Sequence, residues 1–356
     1  MSGDFVFDKI FSAHVSNVLN NTHDYDVELQ FYMTNHCNLS CPGCYMHAGP
    51  KLSRKTIPSG DVDFYLNEFS SAPGFSETVV FTGGEIFNDL LINLERSAQS
   101  VLARGWHLQL KTNGAWGMQP EKRAAVLDML ARLKPGRGLM ASEEDVRRFL
   151  SCWPRPILKW MGRKRIMCML YKFFPNVSNL DIVVSVDDRL HPAQSAYWFA
   201  EIVNAISVNR YLKKNVGLKT FTLSESAEFF EKYVLGNPKL KSTAKQIECL
   251  AGDNHMSYRI NGKDVSSFFG DFVDVDNIPE FKKISEFVLP SVDGKTKGRL
   301  VYCFHPDRTV GLDSCYLKSV GRVPYVAANG KRKSFAQINR EIQQKLIQEY
   351  QYCMIK

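Results

Sequence analysis

Cys37-Asn-Leu-Ser-Cys41-Pro-Gly-Cys44 is the stretch from which the rest of this chain can be read. Its three cysteines, in C-x3-C-x2-C spacing, directly follow Glu28-Leu-Gln-Phe-Tyr-Met-Thr34, an apolar-rich run of extended character bounded by Thr, Asn and His. Spacing this tight wraps one short loop around a single metal centre. Structural zinc draws a fourth Cys or His at matched spacing, as two C-x2-C pairs provide. Three thiolates on one loop instead suit an iron-sulfur cube with one iron left open to another ligand.

Working outward, three more strand-like runs end in polar groups. Thr78-Val-Val-Phe-Thr82 runs into Gly83-Gly84-Glu85, which taken alone is a strand-end turn. His107-Leu-Gln-Leu-Lys111 runs into Thr112-Asn113-Gly114, and Leu180-Asp-Ile-Val-Val runs into Ser185-Val-Asp187. Apolar residues recur at helical spacing between them. Val62, Tyr65, Leu66 and Phe69 follow a start near Ser59; Leu90, Leu91, Leu94, Ala98, Val101 and Leu102 lie within Ile86 to Ala103; and Leu127, Leu130 and Leu133 lie within 120–134. Repeated strand-helix units imply a parallel sheet with ligands at the carboxyl ends of its strands, so the four polar strand ends converge on one mouth. Val216 to Leu223 reads as a fifth strand, and Ser257-Tyr-Arg-Ile260 is the only candidate for a sixth.

Together these motifs resemble the radical S-adenosylmethionine superfamily, whose C-x3-C-x2-C loop holds a 4Fe-4S cluster on three irons and leaves the fourth for the methionine amino and carboxylate groups. The resemblance implies that Cys37, Cys41 and Cys44 bind the cluster. It implies that Gly83, Gly84 and Glu85 hold the methionine amine, and that Asn113, Ser185 and Asp187 face the carboxylate and ribose. The family usually places an aromatic before the third cysteine to stack on adenine; that position is Gly43 here, and Tyr45 is the substitute. The implied chemistry is reductive cleavage of S-adenosylmethionine by a one-electron donor of flavodoxin or ferredoxin type, giving a 5'-deoxyadenosyl radical that abstracts hydrogen from substrate. His191, just past the fourth strand end, is the candidate proton relay or substrate contact.

The expected fold class is α/β: a partial (β/α)5-6 parallel barrel over residues 26–240, preceded by an N-terminal extension (1–25). A smaller C-terminal α+β domain (241–333) and a closing helix (334–356) follow. In the C-terminal region Cys249, and Cys303 and Cys315 flanking a hairpin, loosely resemble the auxiliary-cluster domains called SPASM and twitch. The spacing departs from theirs: Ser267 stands where a cysteine is expected. Cys249, Cys303 and Cys315, with His305, either bind a second iron-sulfur cluster or are buried thiols in a domain that covers the mouth.

Of the 356 residues, 44% are hydrophobic and 23% charged, the balance of a globular protein. No apolar run reaches membrane-spanning length, and Met1-Ser-Gly-Asp-Phe does not begin a signal peptide, so a cytoplasmic location is expected. The nine cysteines, three of them assigned to a centre that needs reduced thiolates, agree with a reducing compartment. The net charge of +8 is concentrated between Arg132 and Lys172, where eleven basic residues face three acidic ones. This window coincides with an insertion, 135–179, between the third helix and the fourth strand. Three readings compete for it: local packing with a solvated basic face, a basic surface for a membrane or acidic polymer, and a substrate lid. A peptide or small natural-product substrate is favoured. Modification of RNA or DNA is the alternative, since Trp and Phe interleave with Arg in the basic window, and a non-catalytic iron-sulfur regulator is a third.

Overall fold

Alternation in the first strand, β1 (Tyr25–Thr34), sets the two faces of the sheet. Val27, Leu29, Phe31 and Met33 are buried in the main apolar core, while Gln30, Tyr32 and Thr34 point to the opposite face. The computed structural model of the chain describes residues 25–42, 44, 47–88, 91–135, 137–139, 151, 153–154, 176–187, 194–223, 227–237, 242–244, 255–260, 263–270, 298–313 and 319–355.

Helix α1 (Ser59–Ser70) carries the chain from β1 to β2 (Phe75–Gly83), burying Val62, Tyr65, Leu66 and Phe69 at helical spacing. Helix α2 (Leu91–Ala103) then leads to β3 (His107–Thr112). A 3-10 turn (Ala115–Met118) and α3 (Pro120–Arg132), with proline at its first position, follow. The short strands β4 (Arg137–Leu139) and β5 (Asn176–Ser178) form an antiparallel ribbon at the two ends of the basic insertion. Next come β6 (Leu180–Ser185), α4 (Ser195–Val208), α5 (Arg210–Asn215) and β7 (Gly217–Leu223). Beyond α6 (Ala227–Phe230) and a π turn (Glu231–Leu235) lie β8 (Ser242–Ala244), β9 (His255–Ile260) and β10 (Lys263–Gly270). The last elements are β11 (Gly298–Phe304), β12 (Thr309–Asp313), β13 (Ser319–Pro324) and α7 (Phe335–Ile355).

The main sheet runs β13-β12-β11-β1-β2-β3-β6-β7-β10-β9-β8, parallel throughout its centre from β11 to β10 and antiparallel at both flanks. The fold is therefore α/β with a mostly parallel sheet of partial-barrel type, as expected from the repeated strand-helix pattern. Two details correct that reading. The sixth parallel strand is β10, and Ser257–Ile260 belongs to its antiparallel neighbour β9. The second helix, described from Leu91 on, does not reach back to Ile86, because Ile86 to Asn88 turn back on Glu85, whose carboxylate accepts the Phe87 N–H at 3.0 Å.

The hairpin expected around Cys303 and Cys315 is present as β11–β12, and it continues the main sheet. β11 pairs parallel with β1 from Tyr25↔Gly298 to Phe31↔Phe304. Phe304 stacks on Phe31 with ring centroids 4.9 Å apart, and the Tyr65 hydroxyl donates to the Tyr325 carbonyl at 2.7 Å, tying α1 to the end of β13. Helix α7 seals this edge with Ile338, Ile342 and Leu346, all fully buried. Each such side chain contributes about 2 kcal/mol through the apolar area it removes from water.

On the other face of the same edge, His305 is 6% exposed and lies against the Tyr32 ring at 4.7 Å. Burial, aided by the Arg322 guanidinium and opposed by Asp307, pushes its imidazole down to about 3. The folded protein thus keeps His305 neutral at pH values where the unfolded chain takes up a proton. Its own contribution to stability is constant above the unfolded value of about 6.5 and falls by about 1.4 kcal/mol per pH unit as the pH drops from there toward about 3. In denaturant melts at pH 7 and pH 5, the wild type is expected to lose stability relative to His305→Gln as the pH is lowered.

Candidate functional site

The segment that leaves β1 is closed at its neck before it reaches the cysteines. His36 bridges to Gly49, and the Cys37 N–H donates to the Gly49 carbonyl at 3.2 Å. Within the loop so formed, the Cys44 N–H donates to the Cys41 carbonyl at 3.3 Å and the His47 N–H to the Cys44 carbonyl at 2.8 Å, a turn that keeps the second and third cysteines together. His47 itself is exposed.

The two glycines at the end of β2 serve this neck. The Gly84 N–H donates to the Thr34 carbonyl at 2.6 Å, and the Glu85 N–H donates to the His36 carbonyl at 3.0 Å. A methyl group on Gly84 would stand 2.0 Å from the His36 carbonyl oxygen, and Gly83 has a φ of +121°. Only glycine allows backbone to pass backbone this closely.

Glu85 is wholly buried. Besides the Phe87 N–H, its oxygens accept the Thr112 hydroxyl at 2.8 Å and the Asn113 N–H at 2.9 Å. Burial raises its carboxyl above the usual carboxylate range, against the pull of these donors and of Lys122. The Thr112 hydroxyl in turn accepts from the Gly114 N–H at 3.0 Å and the Trp116 indole at 3.2 Å, so Glu85 locks the end of β2 to the end of β3.

Asn113, brought to the cysteine loop by this lock, has its amide fully oriented. Its Oδ1 accepts the Ala115 N–H at 2.9 Å, and its Nδ2 donates to Asn38 Oδ1 at 3.0 Å and to the Cys37 sulfur at 3.6 Å. Both amide protons are thereby committed to the loop, which leaves the second lone pair of Oδ1 for any further ligand. Asp187, 1% exposed just past β6, lies close enough for its charge to act on Cys41, and Ser185 is half-buried on the helix-free face of the sheet.

Burial holds the Cys37 thiol up at about 11 and the Cys41 thiol at about 12. For Cys41, the neighbouring Cys37 and Cys44 raise it further, as does Asp187; for Cys37, the Leu39 and Asn113 donors offset part of the rise. Burial and neighbouring groups that disfavour the anionic forms of Cys37 and Cys41 suit a thiophilic cationic centre, and binding one releases the protons of both. Among the described residues, no three His, Cys, Asp or Glu side chains converge at metal-binding distance. Three free thiols on one loop are the donor set that an iron-sulfur centre takes, and their sulfurs are gathered there without being closed to coordinating positions. Cys303 is buried against Tyr32 and Val301 on the helix-free face. Tyr45, His191, Cys249 and Cys315 lie outside the described residues, as does most of the basic insertion.

A cysteine loop after the first strand, Gly-Gly-Glu after the second, Thr-Asn-Gly after the third and Ser-x-Asp after the fourth thus stand at one end of a single parallel sheet. This order of motifs resembles that of the radical S-adenosylmethionine superfamily. In this arrangement the first three motifs are joined by hydrogen bonds, and the fourth lies close enough for the charge of Asp187 to reach Cys41.

No protein-family model and no curated protein sequence matches the chain. Among solved structures, it is similar to Streptococcus suis SuiB bound to S-adenosylmethionine, with 11% identity, 90% of this chain and 66% of that one covered, and a TM-score of 0.38. It is also similar to Streptococcus suis SuiB bound to precursor peptide SuiA (11% identity, 95% and 67% covered, TM-score 0.39). A third similar structure is methylornithine synthase, PylB (14% identity, 80% and 68% covered, TM-score 0.34). The chain spans about two thirds of the length of each.

Proposed function

We propose that this protein is a radical S-adenosylmethionine enzyme acting on a peptide or small natural-product substrate. One observation carries the reading. Glu85 and Asn113, from two neighbouring strand ends, fasten the loop that bears Cys37, Cys41 and Cys44 to the carboxyl end of the sheet, where an α/β fold of this kind places its ligands. Cys37, Cys41 and Cys44 would hold a 4Fe-4S cluster. When bound, that group passes one electron from an external donor to S-adenosylmethionine, giving methionine and a 5'-deoxyadenosyl radical that takes a hydrogen atom from the substrate.

The residues of the chain contribute position and enclosure. Gly83 and Gly84 bring backbone against the neck of the loop, Glu85 braces it, and Ser185 and Asp187 offer polar groups to the nucleotide from the fourth strand end, with Tyr45 assigned to adenine and His191 to the substrate. On the helix-free face, Gln109, Lys111, Ser185 and Lys219 are half-buried, and Phe221 is 41% exposed. That surface suits a polar organic substrate with an apolar part. Lys51, Arg54 and Lys55, all exposed directly after the cysteine loop, offer a face of matching charge to an acidic one-electron donor of flavodoxin or ferredoxin type. Among the described residues no helix is long and apolar enough to cross a membrane.

The test is anaerobic reconstitution with iron and sulfide, reduction by dithionite and an assay for 5'-deoxyadenosine. The expected result is product that depends on both the cluster and S-adenosylmethionine. A protein that takes up iron and S-adenosylmethionine but forms no 5'-deoxyadenosine would be a regulator rather than an enzyme.

A further inference from the structure

We infer that Asn113 sets the reduction potential of the centre bound at the cysteine loop, by donating an N–H to the sulfur of Cys37. The inference rests on the proposed function and assigns Asn113 a role toward the cluster in place of one toward the cofactor's carboxylate or ribose.

The orientation of the amide is forced from both sides. The Ala115 N–H can only donate, so the oxygen of Asn113 must face it and the nitrogen must face Cys37. From the other direction, the Lys122 ammonium donates to Asn88 Oδ1 at 2.6 Å, which turns the nitrogen of Asn88 toward Asn38 Oδ1 at 3.1 Å. Asn38 Oδ1 therefore receives protons from both Asn88 and Asn113, and the second proton of Asn113 is left on Cys37. A flipped amide would face donor to donor at Ala115 and acceptor to acceptor at Asn38. The backbone N–H of Leu39 reaches the same sulfur at 3.4 Å, so Cys37 receives two donors.

A donor to a ligating sulfur favours the state with more negative charge there, which is the reduced cluster. Removing the donor must therefore move the midpoint potential to more negative values. A merely structural asparagine would lower stability and leave the midpoint alone.

Asn113→Ser is the informative variant. Serine can still accept the Ala115 N–H in the local turn but is too short to reach Cys37. Redox titration of the reconstituted protein, followed by the electron paramagnetic resonance signal of the reduced cluster, is expected to give a more negative midpoint for Asn113→Ser than for the wild type. Asn113→Thr, which makes the same turn, is the second variant. An unchanged midpoint in either variant at full iron loading overturns the inference. So does loss of the cluster in both with the circular dichroism spectrum retained, since Asn113 would then hold the loop rather than tune the centre. A wild type that takes up no iron overturns the proposed function itself.

Discussion

Cys41→Ala protein will leave anaerobic reconstitution with iron at background and will form no 5'-deoxyadenosine, while melting close to the wild type. Cys41 is half-buried, and it is its backbone carbonyl that accepts the Cys44 N–H in the turn. Truncating it removes a small side chain without opening a core cavity, so the stability change should stay within about 1 kcal/mol. The ligand loss, by contrast, is complete. Two thiolates on a loop cannot hold a cube that three were needed to grip, and among the described residues no third group stands ready to replace the missing one. Iron analysis paired with a thermal melt separates the two effects. Full iron in Cys41→Ala would mean that the cluster is held elsewhere.

Gly84→Ala is expected to show the largest loss of stability of any single methyl addition at the site. The new Cβ would stand 2.0 Å from the His36 carbonyl oxygen and 2.6 Å from its carbon. That carbonyl cannot retreat, because it accepts the Glu85 N–H and His36 is bridged to Gly49 across the neck of the loop. Relief therefore requires the β1 and β2 ends to part. Overpacking against fixed backbone costs about 3 kcal/mol, a drop in melting temperature of roughly 4 °C for a chain of this size, and the displaced loop should load iron poorly. Gly60→Ala supplies the control. Its Cβ would meet only the end of the Arg332 side chain, at 3.4 Å, and alanine is the better helix former, so that variant should melt at or above the wild-type temperature. Equal melting of Gly84→Ala and wild type would show that the two strand ends do not approach as described.

The strand ends were legible because period-two alternation and glycine punctuation are local signals. Val79 and Phe81 alternate with Val80 and Thr82 across the two faces, and the break falls at Gly83. The sixth strand was not legible, since β10 opens on a lysine, which reads as loop. Lys263 is nevertheless buried, and its ammonium donates to the Lys213 and Val216 carbonyls at the end of α5, a partnership no local pattern reveals. The role of Asn113 was hidden for the same reason. Its sequence context gave a strand end, but the contact that defines it lies 76 residues away at Cys37. The start of α2 was misplaced because the Glu85 carboxylate turns the chain back at Phe87 before the apolar periodicity can propagate into helix.

The proposed function requires that three thiolates at the carboxyl end of a parallel sheet hold an iron-sulfur cube with one corner open to S-adenosylmethionine. Electron paramagnetic resonance of the dithionite-reduced, reconstituted protein, recorded with and without S-adenosylmethionine and alongside an iron count, addresses it most directly. About four irons per chain are expected, with a reduced-cluster signal that S-adenosylmethionine shifts in the wild type and that is lost in Cys41→Ala. Retention of zinc with no iron, or a cluster signal indifferent to S-adenosylmethionine, would contradict it.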